Sequence, residues 1–156
     1  MKSGDRTDRG TTRRGTKASL LRARWQPGPD PDPADAPVWI SVTEFTADGH
    51  RRALGVALNG LRLRRGWPAT DGAVGMWLWA DPRRRRSGAV SVWSGGPAIA
   101  GFVGRPDHAR IAGAFRAHGT MRATLWSQPR FDAAAAWGTA HDLLVGATPW
   151  PEEASR

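Results

Sequence analysis

Four runs of residues alternate in character along this chain, and they limit what it can fold into more than any other feature. Val38 to Phe45, Ala73 to Ala80, Ala89 to Ser94 and Thr120 to Ser127 are short, rich in β-branched and aromatic residues, and read as strands. After the first, Asp48-Gly49 opens a stretch with Leu54, Leu58 and Leu61 at helical spacing. Gly55, Asn59 and Gly60 weaken its second half, so this helix either stops near Asn59 or continues to Gly66. Asp81 to Gly88, with Arg83-Arg84-Arg85-Arg86 inside it, is a turn joining two strands close enough to pair as a hairpin. Gly95-Gly96-Pro97 starts a helix carrying Ile99, Phe102 and Val103, which breaks at Arg105-Pro106. Pro106 starts another, with His108, Ile111, Phe115 and His118 on one stripe and Gly119 at its end. Asp132 caps a last helix through Leu144. The order predicts an α+β fold: a ferredoxin-like βαββαβ antiparallel sheet with helices on one face.

The flanks differ from this core. Residues 1–24 hold eight basic residues against Asp5 and Asp8, a local charge of +6 within a chain of 156 residues and net +9. Gln-Pro-Gly-Pro-Asp-Pro-Asp-Pro follows at 26–33, blocking helix and ladder alike. Residues 1–37 therefore read as a disordered basic arm and Pro-rich linker, 38–145 as the folded domain, and 146–156 as a flexible tail. A coding start near Pro37 would account for the arm equally well. Arg13-Arg14 has no apolar stretch behind it, so a twin-arginine export signal is rejected. The longest uncharged run, 87–104, is broken by five glycines and a proline and does not read as a membrane span, so a cytoplasmic protein is expected. Absence of cysteine excludes disulfides, thiolate metal sites and a Cys nucleophile.

Nine Trp and no Tyr make an unusual aromatic set. Taken by strand parity alone, Val38, Ile40, Val42, Val74, Met76, Leu78, Val90, Val92, Met121, Ala123 and Leu125 form an aliphatic face for the helices. Trp39, Ser41, Thr43, Phe45, Trp77, Trp79, Ser91, Trp93, Arg122, Thr124 and Trp126 fall on the other. With helices on one side only, that second face stands in water as a large aromatic patch, which a second copy of the chain would cover. A homodimer is expected on that ground.

The strings Gly72-Ala-Val-Gly-Met-Trp-Leu-Trp79, Gly88-Ala-Val-Ser-Val-Trp-Ser94, Phe102-x3-Pro-Asp-His108-x6-Phe115-Arg116 and Gly119 to Trp126 resemble the dimeric α/β-barrel superfamily. Within it they are similar to actinobacterial antibiotic-biosynthesis-monooxygenase-like proteins. The Ser-Val-Trp strand followed by Phe-x5-His is also similar to the haem-associated spheroidene-monooxygenase-like branch. The likeness spans roughly 38–130. It implies a homodimeric small-molecule enzyme, a monooxygenase acting on a hydrophobic aromatic or polycyclic substrate in secondary metabolism, with no cofactor or with haem. The cofactor-free quinone-forming members use an Asn, a Trp and an Arg around an aromatic substrate. Asn59, Trp67 and Arg122 are those residue types, at a different spacing.

His108, near a helix start, is the foremost candidate, as general base or as haem ligand. Its plainer role is a helix-capping or core histidine. His118, His50 and His141 have no metal-site spacing to it or to each other, so no protein-only metal site is expected. Arg122 needs a partner: a substrate carboxylate, a haem propionate, a quinone oxygen, or an acid such as Glu44 across a dimer. Glu44 falls on the aliphatic parity, so that pair would need a twist at the strand end. Trp39, Trp77, Trp79, Trp93 and Trp126, with Ser91 and Thr124, are expected to line the substrate pocket or to pack at the dimer contact. Arg83 to Arg86 reads as a solvated hairpin loop, or as an anion site at the pocket mouth. Two alternatives remain: a non-catalytic ligand-binding or interaction domain of this fold, and a nucleic-acid binder using the basic arm. For the second, the RNP pattern of RNA-recognition modules is missing from the strands, so only non-specific contact by the arm is expected.

Overall fold

The computed structural model describes residues 20–30 and 35–151. Most of the basic arm, residues 1–19, the middle of the Pro-rich stretch and the last five residues lie outside them. The chain runs β1 (Leu21–Arg22), β2 (Gln26–Pro27), β3 (Val38–Ala47), α1 (His50–Gly66), a 3-10 turn (Trp67–Ala69), β4 (Ala73–Asp81), a second 3-10 turn (Pro82–Arg84), β5 (Arg86–Trp93), α2 (Gly96–Val103), α3 (Pro106–Arg116), β6 (Gly119–Gln128) and α4 (Ala133–Val145). The four long strands lie in the order β4-β5-β3-β6, all antiparallel, which is the ferredoxin-like arrangement expected. Helix α1 continues to Gly66 despite its glycines.

The register corrects the two faces. Partners across a ladder share a side, and β3 pairs Ile40 with Trp126, Val42 with Thr124 and Glu44 with Arg122. In β4 a bulge between Ala73 and Gly75 shifts the pairing, so Trp77 stands opposite Val90 and Trp79 opposite Gly88. One face therefore carries Ile40, Val42, Glu44, Val90, Val92, Trp77, Trp79, Arg122, Thr124 and Trp126. The other carries Trp39, Phe45, Met76, Leu78, Ala89, Ser91, Trp93, Met121, Ala123 and Leu125. The tryptophans are divided between the two sides, and each side has its own core.

On the second face Trp67, Ala73, Met76 and Trp93 are buried, with Ala98, Ile99 and Phe102 from α2 packed against them. Gly60 of α1 sits against Leu78, and Phe115 of α3 against Phe45, so α1, α2 and α3 cover this face. The first face is closed by α4, whose Ala136, Ala140, Leu143 and Leu144 share a core with Val38, Ile40, Val42, Trp77 and Trp79. A partner copy was expected over the aromatic face; the chain itself covers Trp77 and Trp79 with α4 and Trp93 with α2. Asp132 starts that helix by accepting from the Ala135 N–H, and Gly146, with φ +77°, ends it.

The linker expectation fails over residues 20–30. β1 and β2 pair antiparallel with the outer edge of β4, and the Ala23 and Gly28 N–H groups donate to Leu78 and Val74 carbonyls. Two-residue strands leave no periodic signal, and an edge ladder tolerates Pro27 because one side of the strand needs no donor. What fastens the strap is Trp25, whose indole lies across Gly75 where a Cβ would collide with the ring. Trp25 also packs on Trp77 at 4.4 Å and on Phe131 at 5.4 Å. The C-terminal stretch, expected to be a free tail from 146, is fastened as far as Trp150, whose Nε1 donates to the Leu143 carbonyl at 3.0 Å.

Candidate functional site

On the helix-covered face, α1 ends in the Trp67–Ala69 turn, which drops the Trp67 ring onto Trp93 at 5.0 Å, edge to face. Phe102 of α2 completes a triangle, 5.7 Å from Trp67 and 5.2 Å from Trp93. Trp93 satisfies its indole N–H on the Ser91 hydroxyl at 2.9 Å. The Trp67 Nε1–H is buried and has no partner among the described residues. A buried donor left unmade costs about 1–3 kcal/mol, so this one is either strain or a place for an acceptor.

His108, in the first turn of α3, packs its ring on Phe102 at 4.7 Å. It is half-buried, and desolvation lowers its pKa below the usual 6.5, with the Val103 carbonyl and Asp107 opposing. Burial thus favours the neutral ring over the imidazolium, which suits a base. Beside the triangle, between the first 3-10 turn and α2, opens a cavity of about 350 Å³ walled by Phe102, Ala98 and Thr70, with Asp71 and Arg105 at its rim. His108 lines neither this cavity nor the larger one described below. Neither cavity reaches its ring nitrogens, so its surroundings among the described residues do not fit a haem plane. Among the described residues no group of three His, Asp or Glu is placed to hold a metal ion.

The residues named from sequence do not converge. Trp93, Ser91 and Trp39 lie on the helix-covered face, with Trp39 37% exposed across from Trp93. Trp77, Trp79, Trp126, Thr124 and Arg122 lie on the α4 face. Trp79 donates to the Thr43 carbonyl at 3.2 Å, and Trp77 belongs to the Trp25–Phe131–Trp137 cluster, so both are core. Of Asn59, Trp67 and Arg122, the first two belong to α1 and the turn after it, while Arg122 is on the opposite face. Asn59 donates to the Gly55 carbonyl within its own helix. Sequence reading gave Phe102 no place in the site and Trp67 only a residue type. The available signal was an isolated Trp-Pro directly after Arg64-Arg65-Gly66, where a helix has ended and an indole has no amphipathic reason to be.

On the α4 face, Arg122 meets Glu44 within one chain. Its Nε and Nη2 reach Glu44 Oε1 at 3.0 and 2.8 Å, as direct cross-strand partners needing no twist. Arg86 takes the other oxygen, Oε2, at 2.9 Å, while its Nη2 holds Asp81 at 3.0 Å and its Nη1 also donates to the Leu144 carbonyl. Arg122 stacks under Trp150, 4.2 Å from the ring. Glu44, Arg86, Arg122 and Trp150, with Arg84 at the mouth, line a cavity of about 530 Å³. The arginine run is thus divided: Arg86 is an internal joint and the others are loop. The two buried carboxylates neutralise two of the three arginines, and the cluster reads first as a structural lock.

The fold matches solved proteins. SnoaB, a cofactor-independent oxygenase from Streptomyces nogalater, aligns with a TM-score of 0.50 at 21% identity, over 63% of this chain and 98% of its own. A Deinococcus radiodurans protein proposed to be an antibiotic biosynthesis monooxygenase aligns with a TM-score of 0.51 at 13% identity, over 61% of this chain and 94% of its own. The ferredoxin-like fold implied by the resemblance is the fold found. No protein-family model and no curated protein sequence matches the chain.

Proposed function

We propose that this chain is a monooxygenase-type enzyme that binds a hydrophobic aromatic molecule between its first 3-10 turn and α2 and needs no cofactor. The observation that carries the reading is the unpartnered Trp67 N–H buried in a triangle of aromatic rings, one of which, Phe102, also walls a cavity and packs on the His108 imidazole. The fold shared with a cofactor-independent oxygenase supports it by analogy only. A flat phenolic ring entering past Ala98 and Thr70 would stack on Phe102, and its oxygen would accept from Trp67. His108 would take the phenolic proton, leaving an electron-rich phenolate for dioxygen. The sum balances: a phenol with a free ring C–H and one O₂ give a quinone and water.

The test is dioxygen uptake with a panel of hydroxynaphthalenes and hydroxyanthracenes. Uptake with quinone formation is expected, abolished in His108→Ala and weakened in Trp67→Phe, which keeps the ring and removes the donor. A second reading, a non-catalytic binding domain, has the close ring-on-ring packing of Trp67, Trp93 and Phe102 in its favour. Binding without oxygen uptake would select it, and absence of binding would sink both.

A further inference from the structure

Helix α1 sets Gly60 against Leu78 of the sheet, has Val56 and Leu63 half-buried on that same side, and turns Leu54, Leu58 and Leu61 away, at 62%, 50% and 47% exposure. These leucines form one outward stripe about 10 Å long at i, i+4 and i+7. Arg51, Arg62 and Arg65 stand exposed around it, Arg52 is exposed further round the helix, and α1 holds no acidic residue. Arg64 is tied by its Nη2 to the Arg24 carbonyl. None of the other four is in an ion pair among the described residues. Arg51 and Arg52 sit in the first turn, where a cation opposes the helix dipole, so they do nothing for the helix itself. An apolar stripe that the core does not use, rimmed by unpaired cations that the helix does not need, asks for an occupant both oily and anionic.

We propose that the outer face of α1 docks on an anionic lipid bilayer. Charge excludes the two occupants nearest at hand. Residues 1–19 carry six basic residues against two acidic ones, so they repel this helix and add to its attraction for a negative surface. A second copy packed helix to helix would bring arginine against arginine. A nucleic acid would satisfy the arginines and leave the leucines in water. A bilayer takes both, since leucines enter the acyl boundary while arginine stems lie along it with guanidinium groups among the headgroups.

The chain has no cysteine, so Leu58→Cys gives the full-length protein a single site for an environment-sensitive dye. With vesicles of equal phosphatidylglycerol and phosphatidylcholine, the dye should brighten and shift to the blue, and with phosphatidylcholine alone it should not. In co-sedimentation, Leu54→Gln/Leu58→Gln/Leu61→Gln should lower partitioning by at least about tenfold at unchanged melting temperature. Arg51→Gln/Arg62→Gln/Arg65→Gln should lower it at low salt and remove its salt dependence in part. A dye that stays in water, or a leucine variant that binds like the parent, would show attraction by the basic arm alone and overturn the proposal. Single-stranded RNA losing affinity with the leucine variant as strongly as the vesicles do would overturn it in favour of a nucleic-acid surface. Should the triple leucine variant fail to fold, the dye at position 58 decides alone.

Discussion

Glu44 is buried and receives two arginines, one on each oxygen. Its removal leaves the Arg86 guanidinium inside the protein with its Nε already unpartnered and Asp81 as its one remaining carboxylate. Glu44→Ala should cost about 3–5 kcal/mol in chemical denaturation, the range for breaking a buried pair from one side. Arg122→Ala should cost about 1 kcal/mol or less, because that side chain is close to half exposed and its charge is screened by water. Equal losses for the two would contradict the assignment of Arg86 as the internal partner. His108 gives the fold a dependence on pH. Its pKa is lowered on folding by desolvation, so between that value and 6.5 the unfolded chain holds the proton more readily than the folded one. The stability involved is fully present above 6.5 and declines as pH falls below it. Asp107, lowered by the His108 backbone N–H that donates to it, acts only further down, below 3.8. A pH series of melting temperatures should therefore slope downward just below 6.5 in the parent and flatten there in His108→Gln.

At the scale of elements, the strap of residues 20–30 is the least expected piece. It hangs on Trp25 crossing Gly75, and Gly75→Ala puts a methyl where that ring lies. Hydrogen exchange should then lose protection at the Ala23 and Gly28 amides while the β3–β5 ladder keeps its own. Retained protection at Ala23 would mean the strap has some other anchor. Element types and order were legible because each long strand and helix repeats its own period over eight or more residues. The strap was not, since Leu20, Leu21 and Trp25 sit singly among arginines and prolines with no period to show. Face assignment failed for a different reason. Parity is a property of one strand, whereas a shared face depends on register between strands, and the bulge at Ala73/Gly75 alters it without a mark in the sequence. His108 packs on Phe102, on the side of Trp39 and Trp93, whereas Trp77, Trp79 and Trp126 of the expected set lie across the sheet.

For the whole molecule, the case for a second copy has moved. No single aromatic face is left for a second copy, since Trp77 and Trp79 lie under α4 and Trp93 under α2. A homodimer stays a proposal, and the surface that would serve it is the β6 edge of the sheet. There β6 offers ten residues of unpaired backbone edge, with Met121, Leu125 and the neighbouring Trp39 exposed beside it. Sedimentation velocity should show a dimer for the parent that Leu125→Arg converts to monomer at the same fold stability. No helix among the described residues is long and apolar enough to cross a membrane. Arg86 joins the β4–β5 hairpin, β3 and the end of α4 through Asp81, Glu44 and the Leu144 carbonyl. These partners span a hundred positions of chain, and the last belongs to the final helix. On a ribosome, the sheet can be finished through Gln128 while one whole side of it, Trp77 and Trp79 included, is still bare. The lock shuts, and Trp77 and Trp79 leave water on that side, only when Leu144 has cleared the exit tunnel.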